Sequence, residues 1–208
     1  QGRVMSRPQD LSGRSTIIPD PKLGVDEVGV PEKMALTIYK PFIVKRLIGL
    51  GYKPLDARDL VESGSPTAIE ALRAEIKDRP VVLNRAPSLH KFNVLGFRPN
   101  LVQGEAIRIN PLVVSGYNAD FDGDTMGVHV PITEESRKEV LEKMLPSRNL
   151  FSPANDRVVN QPTMEMILGL YLMSKPVGAP KKAASTGDIV REYMAKKTQI
   201  NTAYLVGG

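Results

Sequence analysis

The stretch YNADFDGDTMGVHV, residues 117–130, places three aspartates at alternate positions around a single glycine. The acids are Asp120, Asp122 and Asp124, and a short alternating apolar run follows them. Carboxylates this close repel one another and raise each other's pKa, so that ionising all three costs free energy. Either a cation offsets that cost or the loop is fully solvated, and the two cases imply different functions.

Two familiar interpretations of the cluster can be tested on the sequence. Most Asp/Gly clusters are solvated acidic turns, but apolar runs at 111–115 and 128–130 leave little room here for a long flexible loop. An EF-hand calcium loop requires glycine at its sixth position and glutamate at its twelfth. Counted from Asp120, those positions hold Thr125 and Pro131, so the EF-hand pattern fails at both.

A magnesium site is the third interpretation. Mg²⁺ prefers oxygen ligands in octahedral geometry and usually keeps positions for water and substrate phosphates. Residues at i, i+2 and i+4 share one face of an extended segment, and Gly123 allows the backbone to turn so that the carboxylates converge. Polymerases use metal ions that bridge the attacking and leaving oxygens of an in-line displacement. The pattern therefore indicates phosphoryl or nucleotidyl transfer.

Composition narrows the class of protein. The 208 residues are 41% apolar and contain no cysteine, which excludes disulfides and thiolate metal sites. No apolar run approaches the ~20 residues that span a bilayer, and from the sequence as given we expect no signal peptide. A net charge of +5 suggests a polyanionic partner. Because the chain begins at Gln1, we expect it to be part of a longer protein.

Apolar periodicity predicts a mixed α and β fold. One short strand is expected near Arg14–Ile18 in an otherwise looped N-terminal segment. Short Val- and Ile-rich runs separated by Pro, Gly and Asn are typical of a small barrel, and four are expected as strands: 81–84, 105–109, 112–115 and 127–130. Helices are expected at 31–39, across FIVKRLI after Pro41, at 66–78 with Ser65 as N-cap, at 134–145 with Thr133 as N-cap, at 162–173 as a buried or interface helix, and at 188–197.

Several motifs together resemble one family. NRAPSLH precedes NADFDGD by some thirty residues, SGRS lies near the start, and HVP, LFSPAN and LGLYLMS follow in order. This series resembles the largest catalytic subunit, beta-prime, of multisubunit DNA-directed RNA polymerase of bacterial or large-phage type. The similarity extends over roughly residues 10–175. NADFDGD is far more specific than an isolated D-x-D.

The resemblance implies a fold and a division of the chain. It implies a double-psi β-barrel with flanking helices and loops, and Asp120, Asp122 and Asp124 as ligands of a catalytic Mg²⁺. We expect four parts: an N-terminal segment that contributes to the barrel and the nucleic-acid path, a helical insertion, the barrel core with the metal loop, and a helical segment. Their ranges are 1–30, 31–80, 81–131 and 132–208.

The resemblance also implies roles for residues around the aspartates. Asn118 matches an asparagine that reads the ribose hydroxyls of the incoming nucleotide, for which an amide offers both a donor and an acceptor. Arg85 matches an arginine near the nucleotide sugar and the RNA 3′ end, and Pro87 is expected to shape its loop. His90 matches a histidine packed close by and is a further candidate for nucleic-acid contact. By themselves, Asn118 and His90 are equally well explained as structural residues.

Nucleic acid and other subunits are the implied partners. Arg14, in SGRS, matches a segment along the nucleic-acid path, and Arg3 and Arg7 are further candidates for phosphate contacts. The resemblance implies a second large beta-like subunit, other polymerase subunits, template DNA, nascent RNA and nucleoside triphosphates. It implies no membrane and a cytoplasmic location in a bacterial or phage-infected cell.

Two departures and two alternatives accompany the resemblance. Thr125 stands where many family members have glutamine, and residues 91–100 differ from the commoner bacterial sequence, which is compatible with a divergent lineage or a large phage.

RNA-templated RNA polymerases carry a D-x-D-G-D loop on a related barrel, so the template is inferred from resemblance alone. A non-catalytic metal-binding or assembly module is the other alternative, with the chain inactive alone.

Overall fold

A computed structural model describes residues 11–153, 156–176, 181–198 and 202–206. The chain divides into two compact units, Gln1–Gln161 and Pro162–Gly208. Arg3 and Arg7, proposed from the sequence as phosphate contacts, lie outside the described residues, as does the end of the LFSPAN motif. The fourfold division of the chain stays a prediction.

Six strands of the first unit form a closed barrel in the order β1-β5-β2-β4-β3-β6. The pairs β1–β5 and β2–β4 are parallel, while β1–β6, β2–β5, β3–β4 and β3–β6 are antiparallel. The predicted mixed fold with a double-psi type barrel and flanking helices is thereby confirmed. The strands are β1 Ser12–Pro19, β2 Glu27–Pro31, β3 Val81–Asn84, β4 Val94–Val102, β5 Ile107–Ile109 and β6 Thr125–His129.

Alternate side chains of these strands fill the barrel. Strand residues two apart point to the same face, and in β3, β5 and β6 buried residues alternate with partly exposed ones. Strands β2 and β4 instead bury runs of consecutive residues. Burying a large apolar side chain contributes about 1.5–3 kcal/mol. The buried strand residues of the core include Ile17, Val28, Val30, Leu83, Phe97, Ile107, Ile109, Met126 and Val128.

Four helices lie in the chain between β2 and β3. Their apolar residues, among them Ile43, Leu47 and Leu72, belong to the same hydrophobic core as the barrel. Ser65 caps the fourth of these helices as predicted, because its hydroxyl accepts a hydrogen bond of 3.2 Å from the Ala68 N–H. The helices are α1 Glu32–Ile38, α2 Lys40–Gly49, α3 Pro54–Glu62 and α4 Pro66–Asp78.

The helix predicted after the barrel changes type along its length. Helix α6, Glu134–Glu139, begins at Thr133, whose hydroxyl accepts a hydrogen bond from the Ser136 N–H as predicted. It continues as a π-helical turn, Val140–Met144, that packs against strand β4. The wider turn places Val140 directly over Gly96.

The strand predicted at 112–115 was wrong. A 3₁₀ turn, Pro111–Val113, and helix α5, Val114–Tyr117, occupy this stretch. Proline suits the first position of a helical turn, and the Asn110 side chain accepts a hydrogen bond of 2.9 Å from the Leu112 N–H. A short run of apolar β-branched residues has no periodicity that separates strand from buried helix.

In the first unit, two strands and one α-helix had no counterpart in the predictions. Strand β2 lies in a segment predicted as loop, and helix α3 was not expected. Strand β4 contains Pro99, and proline usually argues against a strand inside a sheet. Pro99 is tolerated because β3 pairs with β4 only as far as Phe97, so no ladder bond to β3 requires its missing N–H.

The second unit has its own small elements. Helix α7, Met164–Ser174, was predicted as buried or as an interface helix. The buried alternative was wrong, because large side chains such as Ile167 and Leu170 are more than half exposed, and the interface alternative stays a prediction. Helix α8 is Thr186–Met194, and strands β7 Lys181–Ala183 and β8 Tyr204–Val206 pair in parallel. Within the described ranges, no helix combines the length and apolar character that crossing a membrane requires.

Gly96 should tolerate no side chain. A Cβ at this position would lie 2.4 Å from Val140 Cγ1 and 3.2 Å from the Val140 carbonyl oxygen. We expect Gly96→Ala to lower the free energy of unfolding by about 1–3 kcal/mol, as overpacking does. Gly127→Ala is the matched control, because its Cβ would meet only ordinary contacts, 3.5 Å from His129 Nε2 at the nearest. Chemical denaturation of both variants in the same protein measures the difference, and equal stability would contradict this packing.

Candidate active site

The aspartates lie on a loop between helix α5 and strand β6. Asn118 ends the helix in the left-handed conformation, with φ of 48°, which asparagine tolerates better than most residues. Gly123 has φ of 123°, a conformation that side chains rarely adopt. These two residues reverse the chain over six positions, so the loop is short and both its ends are fixed by the barrel unit.

Asp124 is the best-fixed of the three aspartates. Its carbonyl oxygen accepts a 3.0 Å hydrogen bond from the Ile17 N–H of β1, which anchors the loop to the barrel. Its carboxylate Oδ2 accepts bonds from the Asp120 N–H at 3.0 Å and from Arg85 Nε at 2.9 Å. The Asp120 N–H, and then the Arg85 guanidinium, lower the pKa of Asp124 below its ordinary value, so this carboxylate is ionised at neutral pH.

The other two carboxylates face solvent. Asp120 and Asp122 are exposed, and Asp120 Oδ1 accepts a 2.7 Å hydrogen bond from the Phe121 N–H. Among the described residues, no group of three or more His, Asp or Glu side chains is gathered closely enough to hold a metal ion. The expected convergence at Gly123 is therefore not present. Mutual repulsion opposes it, and Asp124 takes its positive partner from Arg85 instead.

The donor set nevertheless fits Mg²⁺ in kind. All three candidate ligands are carboxylates, the hard oxygen donors that this ion prefers. Asp120 and Asp122 are open to solvent, and Asp124 has a second carboxylate oxygen beside the one that Arg85 and the Asp120 N–H hold. The ligand roles of the three residues stay predictions.

A second loop brings Arg85 to the aspartates. It follows strand β3, and the Arg85 N–H donates to the Asn93 carbonyl at 3.1 Å. The Asn93 side chain is buried and donates to the Tyr117 carbonyl at 3.0 Å, just before the aspartate loop. Pro87 follows a cis peptide bond in this loop, and its role in shaping the loop stays a prediction. Two distant parts of the sequence are thus joined at one site.

The structure also gives Asn118 and His90 structural roles. Asn118 provides the left-handed turn described above, and its side chain is exposed beside the loop. His90 caps the short helical turn Lys91–Asn93, and its ring lies edge-on to Phe92 with centroids 5.7 Å apart. Nothing here brings either side chain onto the aspartates, and their nucleotide and nucleic-acid roles stay predictions.

Arg14 lies on the outer face of the barrel beside the aspartate loop. Its Nε donates a 2.8 Å hydrogen bond to the Thr125 hydroxyl, the residue directly after Asp124. A groove of about 390 Å³ opens here, lined by residues of β1, β3 and β6 that include Gly127 and His129. Sequence reasoning noted Thr125 only as a departure from the family. The alternation of Thr125, Gly127 and His129 along β6 was the signal that could have placed them on one face.

One family of known proteins matches most of the chain. The model of the family described as RNA polymerase Rpb1, domain 2, matches residues 7–71 and 56–145, which together include β1–β6, the helices between them and the aspartate loop.

Individual relatives are similar over nearly the whole chain. DNA-directed RNA polymerase subunit beta' of Kineococcus radiotolerans is 39% identical over 97% of this chain and 16% of its own length. The subunit of the same name from Tropheryma whipplei is 42% identical over 93% of this chain and 15% of its own, and that of Treponema pallidum is 43% identical over 91% and 14%. The chain therefore spans about one-seventh of the length of these curated relatives.

Fold, site and similarity extend over the same residues. The barrel closes between Ser12 and His129, the loop that carries the aspartates emerges inside that range, and the family model matches this range and extends beyond it at both ends. The chain thus belongs to the RNA polymerase Rpb1 domain 2 family.

Proposed function

We propose that this chain supplies part of the catalytic core of a DNA-directed RNA polymerase. In the proposed reaction the 3′-hydroxyl of RNA attacks the α-phosphorus of a nucleoside triphosphate, and pyrophosphate leaves. Family membership and the names of the relatives support this proposal. Because the chain spans only a small part of those relatives, activity is proposed for the complete assembly and not for this chain alone.

The observation that carries the proposal is the pairing of Arg85 with Asp124 on the aspartate loop. It joins the NRAP and NADFDGD motifs at 2.9 Å, although they lie 39 residues apart in the chain. A fixed carboxylate next to two exposed ones, at the edge of a rigid barrel, is a suitable base for a catalytic ion, because preorganised charge lowers the cost of reaching the transition state.

In this proposal Asp120, Asp122 and Asp124 hold Mg²⁺. When bound, such an ion lowers the pKa of a coordinated hydroxyl and stabilises charge that develops on the phosphate. The chain's own residues supply the rest: the Asp120 N–H and Arg85 Nε orient Asp124. The two outer nitrogens of the Arg85 guanidinium extend beyond this contact and can donate to sugar or phosphate oxygens. Asn118 is proposed to contact the ribose of the incoming nucleotide.

The partners are likewise proposed. They are a second large subunit, further polymerase subunits, template DNA, nascent RNA and nucleoside triphosphates, in the cytoplasm of a bacterial or phage-infected cell.

A non-catalytic assembly module is a second candidate function for this chain, and one observation favours it. Helix α7 exposes apolar side chains such as Leu168 and Tyr171, each more than half accessible, as expected of a surface that packs against another chain.

Metal and template dependence of the native assembly tests the proposed function. We expect incorporation of labelled nucleotides on a DNA template with Mg²⁺, and none with EDTA, because the proposed reaction needs the ion to stabilise the charge that develops on the phosphate. Extension on an RNA template but not on DNA would favour the RNA-templated alternative. No extension on either template, by an assembly that contains all of its subunits, would favour the assembly module.

A further inference from the structure

A groove lies beside the aspartate loop, and Thr125 is one of the residues that line it. We propose that Thr125 is a positioning residue that holds Arg14 against the groove, where the guanidinium binds a backbone phosphate of the RNA strand. This inference rests on the proposed function, because it places the RNA 3′ end at the aspartates.

Strand register defines the groove. Strand β6 lies between β1 and β3, with Gly127 opposite both Arg14 and Asn84. Two residues further along β6, His129 lies opposite both Ser12 and Val82. The groove lining includes Asn84 and Ala86, the neighbours of Arg85, and Thr125, the neighbour of Asp124, so the groove lies next to the Arg85–Asp124 pair. A strand that ends at the aspartates can continue directly into it.

The glycine in the middle of this face is not required by packing. A Cβ on Gly127 would meet nothing nearer than 3.5 Å, and its backbone is not in the left-handed region. Glycine in a strand interior weakens the strand and often marks a place where a ligand approaches the backbone closely. The floor between Arg14 and Asn84 is therefore flat and open.

Arg14 has donors left for a ligand. Its Nε is used by the Thr125 hydroxyl, and among the described residues its two outer nitrogens have no hydrogen-bond or ion-pair partner. None of the eight residues that line the groove is acidic. A guanidinium held by one edge presents its remaining donors in a fixed direction, which suits a phosphate.

Thr125 is what gives Arg14 this direction. Arg14 is exposed and its long side chain would otherwise sample many rotamers, each with an entropic cost when a phosphate is bound. A threonine on a strand is stiff at χ1, so its hydroxyl is a well-placed acceptor. Loss of the hydroxyl should therefore weaken RNA binding through Arg14 alone.

A double-mutant cycle in the native assembly tests the inference. Binding of a fluorescent RNA primer annealed to template DNA is measured at several KCl concentrations. We expect Arg14→Gln to weaken binding about tenfold and Thr125→Val about threefold, with Thr125→Ser close to wild type. The double variant Arg14→Gln, Thr125→Val should equal Arg14→Gln, because both changes act on one contact. Additive effects, or a Thr125→Val variant that binds like wild type, would overturn the proposal.

The RNA itself provides a second test that leaves Thr125 unchanged. Primers with a single neutral methylphosphonate linkage remove one phosphate charge at a time. At one position we expect weaker binding by wild type but no further loss by Arg14→Gln, and a salt slope flatter by just under one. The same result only with substituted template DNA would place the contact on the wrong strand and refute the proposal.

Asp122→Ala separates the proposed polymerase function from the proposed Arg14 contact with RNA. Extension that survives Asp122→Ala refutes the polymerase function, while the double-mutant cycle of Arg14 and Thr125 still reports on RNA binding at the groove.

Discussion

Replacing Asp122 by alanine in the complete assembly is expected to lower nucleotide incorporation by at least about 10³-fold. Asp122 is exposed, and the structure shows no hydrogen bond or ion pair of its carboxylate with the described residues. Its removal should therefore cost the fold little, and any large effect on activity must come from chemistry at the loop. Single-turnover extension of a labelled RNA primer measures the change.

The control for this prediction is another exposed acid. Glu70 on helix α4 is exposed and has no ion pair among the described residues, so Glu70→Ala removes the same charge away from the loop. We expect Glu70→Ala to extend the primer at the wild-type rate. If Asp122→Ala extends the primer equally well while its assembly is intact, the aspartates are structural and the chemistry lies in another chain.

Replacing Arg85 by glutamine is expected to lower incorporation by about 10–100-fold. Asp124 would keep its bond from the Asp120 N–H but lose the charged donor at 2.9 Å, and the loop would become more negative. Arg85→Lys should recover only part of the activity, because an ammonium restores the charge but not the fixed fork. Loss of a fully exposed ion pair would have little effect on the orientation of Asp124. Both side chains of this pair are only about one-quarter exposed, so a larger effect is expected.

Two measurements distinguish positioning by Arg85 from a purely structural role. If Arg85 orients Asp124, the Mg²⁺ concentration required for half-maximal extension should change in Arg85→Gln, beyond the loss of rate. Thermal stability of the assembly should change little, since the pair lies at the loop edge and not in the core. Arg73→Gln is the matched control, because Arg73 is exposed and unpaired among the described residues. Unchanged metal dependence in Arg85→Gln would contradict the positioning role.

The residue at position 125 affects where the Arg14 guanidinium lies in the groove. Thr125 stands at a position where the family resemblance leads one to expect glutamine, and its hydroxyl is the acceptor for Arg14. Glutamine has a longer side chain with its acceptor further from the backbone, so Thr125→Gln would move the guanidinium along the groove. Under the proposed groove function, the residue after the third aspartate would adjust the path of the RNA strand without altering the aspartates.

Local patterns predicted local structure well. Ser65 and Thr133 were identified as helix caps because a hydroxyl there meets a free N–H three residues on. The strand run 112–115 was misassigned, since its apolar residues are buried in either conformation. Strand β2 escaped notice because five residues inside a loop-like segment carry too little periodicity.

The amino-acid sequence by itself determined the family, the mixed fold with its barrel, and the candidate aspartates, because those properties depend on residue types at short spacing. Only the tertiary structure showed that Arg85 is bonded to Asp124, that Arg14 is held by Thr125, and that the three carboxylates do not converge. These facts depend on contacts between segments 39 and 111 residues apart. Such contacts follow from how the barrel closes, and no local propensity encodes them.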